Sequence, residues 1–127
     1  MDQHSPRKVL LYIEDDPANR ILVRRVLEAA GYRVLEAENG IRGLEIAQGE
    51  HLDAILVDIH MPDMDGFEVM ARLRTIPRIA AVPIIALTAM VMKGDRERTL
   101  QAGCSGYIEK PIDVDLLPEQ IASVLNR

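Results

Sequence analysis

The 127-residue chain has a single cysteine, Cys104. No intrachain disulfide can form, which points to a reducing compartment, and the residue reads as a small buried apolar side chain. Aromatics are scarce, three tyrosines and one phenylalanine, and none falls in an RNP-like pattern. No basic run occurs; the formal charge is −5 and the pI about 5.2. Both argue against a direct nucleic-acid surface. Three scattered histidines and the lone cysteine supply no zinc-type ligand pair. The apolar stretches are far too short to span a membrane, and the first residues, MDQHSPRK, have no apolar signal core. Repeats, low-complexity tracts and internal linkers are also missing. The expectation is one cytoplasmic domain over residues 1–127, with 1–7 as a loose tail and no membrane contact.

What the chain does have is 48% apolar content, enough for one sizeable core, in a regular rhythm. Apolar runs at 8–13, 33–37, 53–57, 82–87 and 105–109 read as strands. Helical stretches lie between and after them. Asp16-Pro17 reads as an N-cap with proline at the first helical position, and Gly31 as the terminator of that helix. Its inner face carries Leu22, Val23, Val26 and Leu27. Asn39 caps a short second helix with Ile41, Leu44 and Ile46. Asp65 begins a third, with Glu68 completing an acidic capping box, and it stops before Pro77. Asp95 caps a fourth, ended at Gly103. Pro118 places the start of the fifth near Asp115. Five strands alternating with five helices predict a doubly wound α/β fold with a flavodoxin-like parallel sheet in the order 2-1-3-4-5.

The chain is organised around residues 54–68, AILVDIHMPDMDGFE. An apolar run buried on both faces ends on Asp58, at the sheet edge where ligands collect. In the predicted order Glu14 and Asp15, at the end of the first strand, converge on Asp58. Three such carboxylates repel unless a hard cation neutralises them, and oxygen-only ligands favour Mg²⁺, Mn²⁺ or Ca²⁺, with Mg²⁺ suiting an open, phosphate-facing site best. Thr88 ends the fourth strand and Lys110 the fifth. A metal, a hydroxyl and an ammonium around one carboxylate suit phosphoryl transfer onto it. Each residue also has an ordinary reading: a capping aspartate, a β-forming threonine, a solvated lysine. The coincidence of all five at one sheet edge favours chemistry.

These pieces, IEDDP (13–17), LVDIHMPDMDG (56–66), LTA (87–89) and YIEKPI (107–112), closely resemble the receiver domain of two-component response regulators, in the right order and over nearly the whole chain. The resemblance implies a signalling switch that catalyses only its own phosphorylation and slow autodephosphorylation. Asp58 would be the phosphoacceptor. Asp15 would bind Mg²⁺ directly, Glu14 mainly through water, and the His60 backbone carbonyl would complete the set, with Mn²⁺ able to substitute. Thr88, Ala89 and Lys110 would hold the phosphoryl group, and the Lys110–Pro111 bond would be cis, an isomer accessible to proline. The donor would be a histidine kinase or a histidine phosphotransfer protein. Phosphorylation would draw Thr88 inward and bury Tyr107, changing the partner preference of the face made by the fourth helix, fifth strand and fifth helix.

His60 and Met90 would flank the path of the attacking water, and a methionine there would slow autodephosphorylation. The charged segment 92–98, MKGDRER, falls on the output face. Arg20, Arg24 and Arg25 on the first helix either dock an acidic partner or solubilise the helix. The wording resembles single-domain regulators and hybrid-kinase receivers more than DNA-binding ones, and Met1 and Arg127 favour a stand-alone chain over an excised piece. Three other classes compete. A flavin protein of this fold would need a hydroxyl- and glycine-rich loop where three acids stand. A metal-dependent phosphohydrolase would need a second catalytic carboxylate near Asp58. An unphosphorylated interaction module would not need the full residue set.

Overall fold

The computed structural model describes residues 7–62, 64–89 and 94–126. The first six residues of the expected tail, Asp63, Met90 and the 92–93 part of the charged segment lie outside them.

Five strands alternate with five α-helices: β1 (Val9–Ile13), α1 (Pro17–Ala29), β2 (Arg33–Ala37), α2 (Gly40–Gly49), β3 (Ala54–Asp58), α3 (Gly66–Arg74), β4 (Ile84–Thr88), α4 (Asp95–Gln101), β5 (Gly106–Glu109) and α5 (Leu117–Leu125). All strand pairs are parallel, in the order β2-β1-β3-β4-β5. The sheet is the one expected.

Period-two alternation explains why β1, β3 and β4 are buried on both faces. Leu11, Ile13, Ile55, Val57, Ile84 and Ala86 join Val69, Met70 and Leu73 of α3 in one core. The intervening residues, Leu10, Tyr12, Leu56, Ile85 and Leu87, join Val23, Leu27, Leu117 and Ile121 of α1 and α5 in the other. β1 and β3 are neighbours, with Ile13 opposite Val57. The residues that follow these two strand ends are therefore brought together at one edge.

Several helix starts follow local chemistry. Asp16 accepts the Ala18 amide at 2.9 Å, Asn39 the Arg42 amide at 2.8 Å, and Asp65 the Phe67 amide at 2.7 Å. Three expectations are corrected. Glu68 pairs with Arg72 at 3.0 Å, one helical turn on, in place of closing a capping box. The cap of α4 is Gly94, at φ +92°, and Asp95 is already helical; only a glycine takes that left-handed turn without strain. Leu22 is 49% exposed, because the buried stripe of α1 is narrow and centred on Val23 and Leu27. A 3₁₀ turn, Pro77–Ile79, also stands between α3 and β4.

Candidate functional site

Asp58 is the last residue of β3 and is 1% exposed. A buried carboxylate needs positive or donating partners. Lys110, which follows β5, puts its ammonium 2.9 Å from Asp58 Oδ1. The His60 amide donates to the same oxygen at 3.0 Å. The chain can turn this tightly because Gly66 has no side chain: a Cβ there would stand 2.6 Å from Ile59 Cα and 2.7 Å from the Asp58 carbonyl oxygen. The Gly66 amide closes the loop onto the Ile59 carbonyl at 3.1 Å.

Glu14 and Asp15 leave β1 beside this carboxylate. One oxygen from each of Glu14, Asp15 and Asp58 lies within 4.8 Å of the others. Glu14 is as buried as Asp58, whereas Asp15 faces solvent. Desolvation at the cluster, then the Glu14 carboxylate, push the Asp15 carboxyl above its ordinary value. An all-oxygen cluster with one open member fits a hard divalent cation. The Lys110 ammonium also lies 3.7 Å from Glu14 Oε1, so it is shared between two carboxylates.

The remaining expected residues reach the same edge. Thr88 ends β4 and is buried, with Ala89 half-buried after it. The Lys110 amide donates to the Thr88 carbonyl at 2.8 Å, and the Lys110–Pro111 peptide is cis. His60 is exposed. Tyr107, on β5, is half-buried, with the Arg96 guanidinium 5.7 Å from its ring centroid. Met90 lies outside the described residues.

Three contributors were not evident from the sequence. The Tyr12 ring is wholly buried and its hydroxyl donates to Glu14 Oε1 at 3.2 Å. Burial, then Glu14, push its phenol well above the ordinary range. The Asn19 amide donates to the same oxygen at 3.4 Å. Arg20 donates to the backbone carbonyls of Glu14 at 2.7 Å and Asp15 at 3.0 Å. Glu36 of β2 holds Arg20 at 3.7 Å and Arg24 at 2.6 Å. Two of the arginines read as docking or solubilising groups are thus bound within the protein. The one sequence signal for Tyr12 was a hydroxyl set among aliphatic residues in KVLLYI.

Residues 10–122 match the model of the response regulator receiver domain. The chain belongs to this family. The receiver is 41% identical over 118 residues to the polar-differentiation response regulator DivK of Brucella ovis, covering 93% of this chain and 96% of that one. Among solved structures it resembles the receiver domain of a sensor histidine kinase from Pseudomonas aeruginosa PAO1, which has a magnesium ion coordinated in its active-site cleft. That match has 34% identity, a TM-score of 0.87, and covers 96% of this chain and 100% of the other. The chemotaxis protein CheY4 of Vibrio cholerae matches at 28% identity and a TM-score of 0.89, over 94% of this receiver and 99% of that chain. No helix among the receiver's described residues is long and apolar enough to cross a membrane.

Proposed function

We propose that this receiver, a single domain over residues 1–127, accepts a phosphoryl group on Asp58 from a histidine kinase or histidine phosphotransfer protein in the cytoplasm. The observation that carries this reading is the Asp58 carboxylate itself, buried at a strand end, 2.9 Å from the Lys110 ammonium and grouped with two further carboxylates. An Asp58 oxygen attacks the phosphorus of phosphohistidine. The P–N bond breaks and its electron pair leaves with the imidazole, giving an acyl phosphate. Lys110 transfers its contact from the carboxylate to a phosphoryl oxygen, and Thr88 and the Ala89 amide hold others. When bound by Asp15, Asp58, the His60 carbonyl and, through water, Glu14, Mg²⁺ supplies positive charge against the phosphoryl oxygens.

Acting as a switch, the receiver then changes its output face. Thr88 moves toward the phosphoryl group, Tyr107 leaves its place beside Arg96 for a buried one, and the α4–β5–α5 face favours a different protein partner. Met90 and His60 set how fast water removes the phosphoryl group; Met90→Gln is expected to lose it faster than the wild type.

The test is incubation with acetyl phosphate and Mg²⁺, read by intact mass. The wild type should gain one phosphoryl group and Asp58→Asn none. Undiminished labelling of the variant overturns the assignment, and steady turnover of a phosphomonoester would favour a hydrolase.

A further inference from the structure

Glu14 is the most enclosed acid of the site that is not itself expected to react, and four groups hold its carboxylate. Lys110 is the weakest of these supports in the working cycle. It lies nearer Asp58 than Glu14, 2.9 Å against 3.7 Å, and a phosphoryl group on Asp58 would draw it away. The supports that stay are the Tyr12 hydroxyl at 3.2 Å, the Asn19 amide at 3.4 Å and the Asp16 backbone amide at 3.3 Å.

Tyr12 is the unexpected one. It lies opposite Leu56 in the sheet and packs in a layer with Leu10, Leu56, Leu87 and Ile108. An aliphatic residue or a phenylalanine would suit that layer without a polar tip to satisfy. A buried phenol must find a partner, and this one ends on a carboxylate of the acidic cluster. Donors on both carboxylate oxygens, Tyr12 and Asn19 on Oε1 and the Asp16 amide on Oε2, limit the rotation of the group and so set how it stands in the cluster.

We infer that Tyr12 is a positioning residue for the metal site, orienting the Glu14 carboxylate from beneath the sheet edge. This rests on the proposed Mg²⁺ site. It assigns a role in cation affinity to a core residue of β1 that touches neither metal nor phosphoryl group.

Tyr12→Phe removes only the hydroxyl and keeps the ring that fills the core. Mg²⁺ alone is titrated into the metal-free wild type and the variant, followed by amide chemical shifts of residues 13–16 and 58–60. Thermal melts in EDTA run alongside. The Mg²⁺ dissociation constant should rise about tenfold in Tyr12→Phe, the lower end of what losing an outer-shell partner costs. The metal-free Tm should change little. Asn19→Ala, at the same oxygen, should weaken Mg²⁺ in the same direction. If Tyr12 only packs the core, the variant binds Mg²⁺ as tightly as the wild type, and the inference falls while the metal site stands. If the wild type shows no saturable Mg²⁺ response, the metal site and this inference fall together.

Discussion

At the scale of single residues, the site is a problem of too much negative charge in one place, and Asp15 is where that shows. Its carboxyl is pushed above the ordinary value by desolvation at the cluster and by Glu14. A carboxyl raised in this way stabilises the fold only while it keeps its proton. Its contribution is complete below the unfolded-state pKa and is lost as pH rises through the folded-state value. Asp15→Asn should therefore be more stable than the wild type without metal, with a Tm gap that widens as pH rises out of the carboxylate range. Mg²⁺ should raise the wild-type Tm and leave the variant nearly unmoved. Melts at matched pH, with Mg²⁺ or EDTA, read both effects, and a wild-type Tm indifferent to Mg²⁺ would remove the cation from the reading. The acids were legible in the sequence because they sit directly at strand ends, where chain position alone decides which edge they reach. Tyr12 and Arg20 were not. Their roles depend on where a long side chain ends: Tyr12 lies on a core face, and Arg20 reaches back across a turn to two carbonyls.

At the scale of elements, the site depends on how closely α3 returns to β3. What makes Gly66 important is the backbone against its Cα. The atoms a Cβ would meet, Ile59 Cα and the Asp58 carbonyl oxygen, are main chain and cannot rotate away. Gly66→Ala should therefore cost about 2 kcal/mol, as overpacking does, and should also slow acetyl phosphate labelling by displacing the Asp58–His60 turn. Denaturant melts and labelling rates measure the two losses; a variant that labels at the wild-type rate would show that the turn tolerates the shift. The opposite edge of the sheet has its own clamp. Arg74, at the end of α3, donates to the carbonyls of Val82 at 2.7 Å, Ile79 at 3.2 Å and Gly103 at 2.9 Å. It ties the entry to β4 to the turn before β5. Arg74→Met should cost about 2 kcal/mol, since hydrogen bonds from a charged donor are lost and buried carbonyls are left short. Arg74→Lys should recover only part, because one ammonium cannot span both loops as the guanidinium fork does. Labelling at Asp58 should survive both changes, as the clamp lies at the far edge. Helix starts marked by Asp or Asn were legible because the cap is a local bond. The Gly94 cap and the Arg74 clamp were hidden, one set by a backbone angle and the other by a contact across 29 positions of sequence.

At the scale of the whole molecule, the helices are not held equally. α1 and α5 place Val23, Leu27, Leu117 and Ile121 fully in one core, and α3 places Val69, Met70 and Leu73 in the other. α4 buries only Thr99, leaves Leu100 44% exposed, and starts at a glycine with no side-chain cap. Peripheral contacts add to this: Arg98 stacks 4.2 Å over the Phe67 ring and reaches Asp65 at 3.9 Å, Arg96 lies over Tyr107, and the Cys104 thiol donates to the Thr99 carbonyl at 3.1 Å. A segment with so little buried apolar surface opens at lower cost than the sheet it covers. This suits α4 to the proposed output face, since a switch must draw its moving part from what a phosphoryl group can shift. Native-state hydrogen exchange should find the α4 amides opening locally, well below the global unfolding free energy, while β1 and β3 exchange only with global unfolding. Phosphorylation of Asp58 should change protection in α4 and β5 and leave α1 and α2 as they were. Uniform protection across all five helices would mean that the receiver moves as one rigid body, and output would then have to be read from Asp58's own surface.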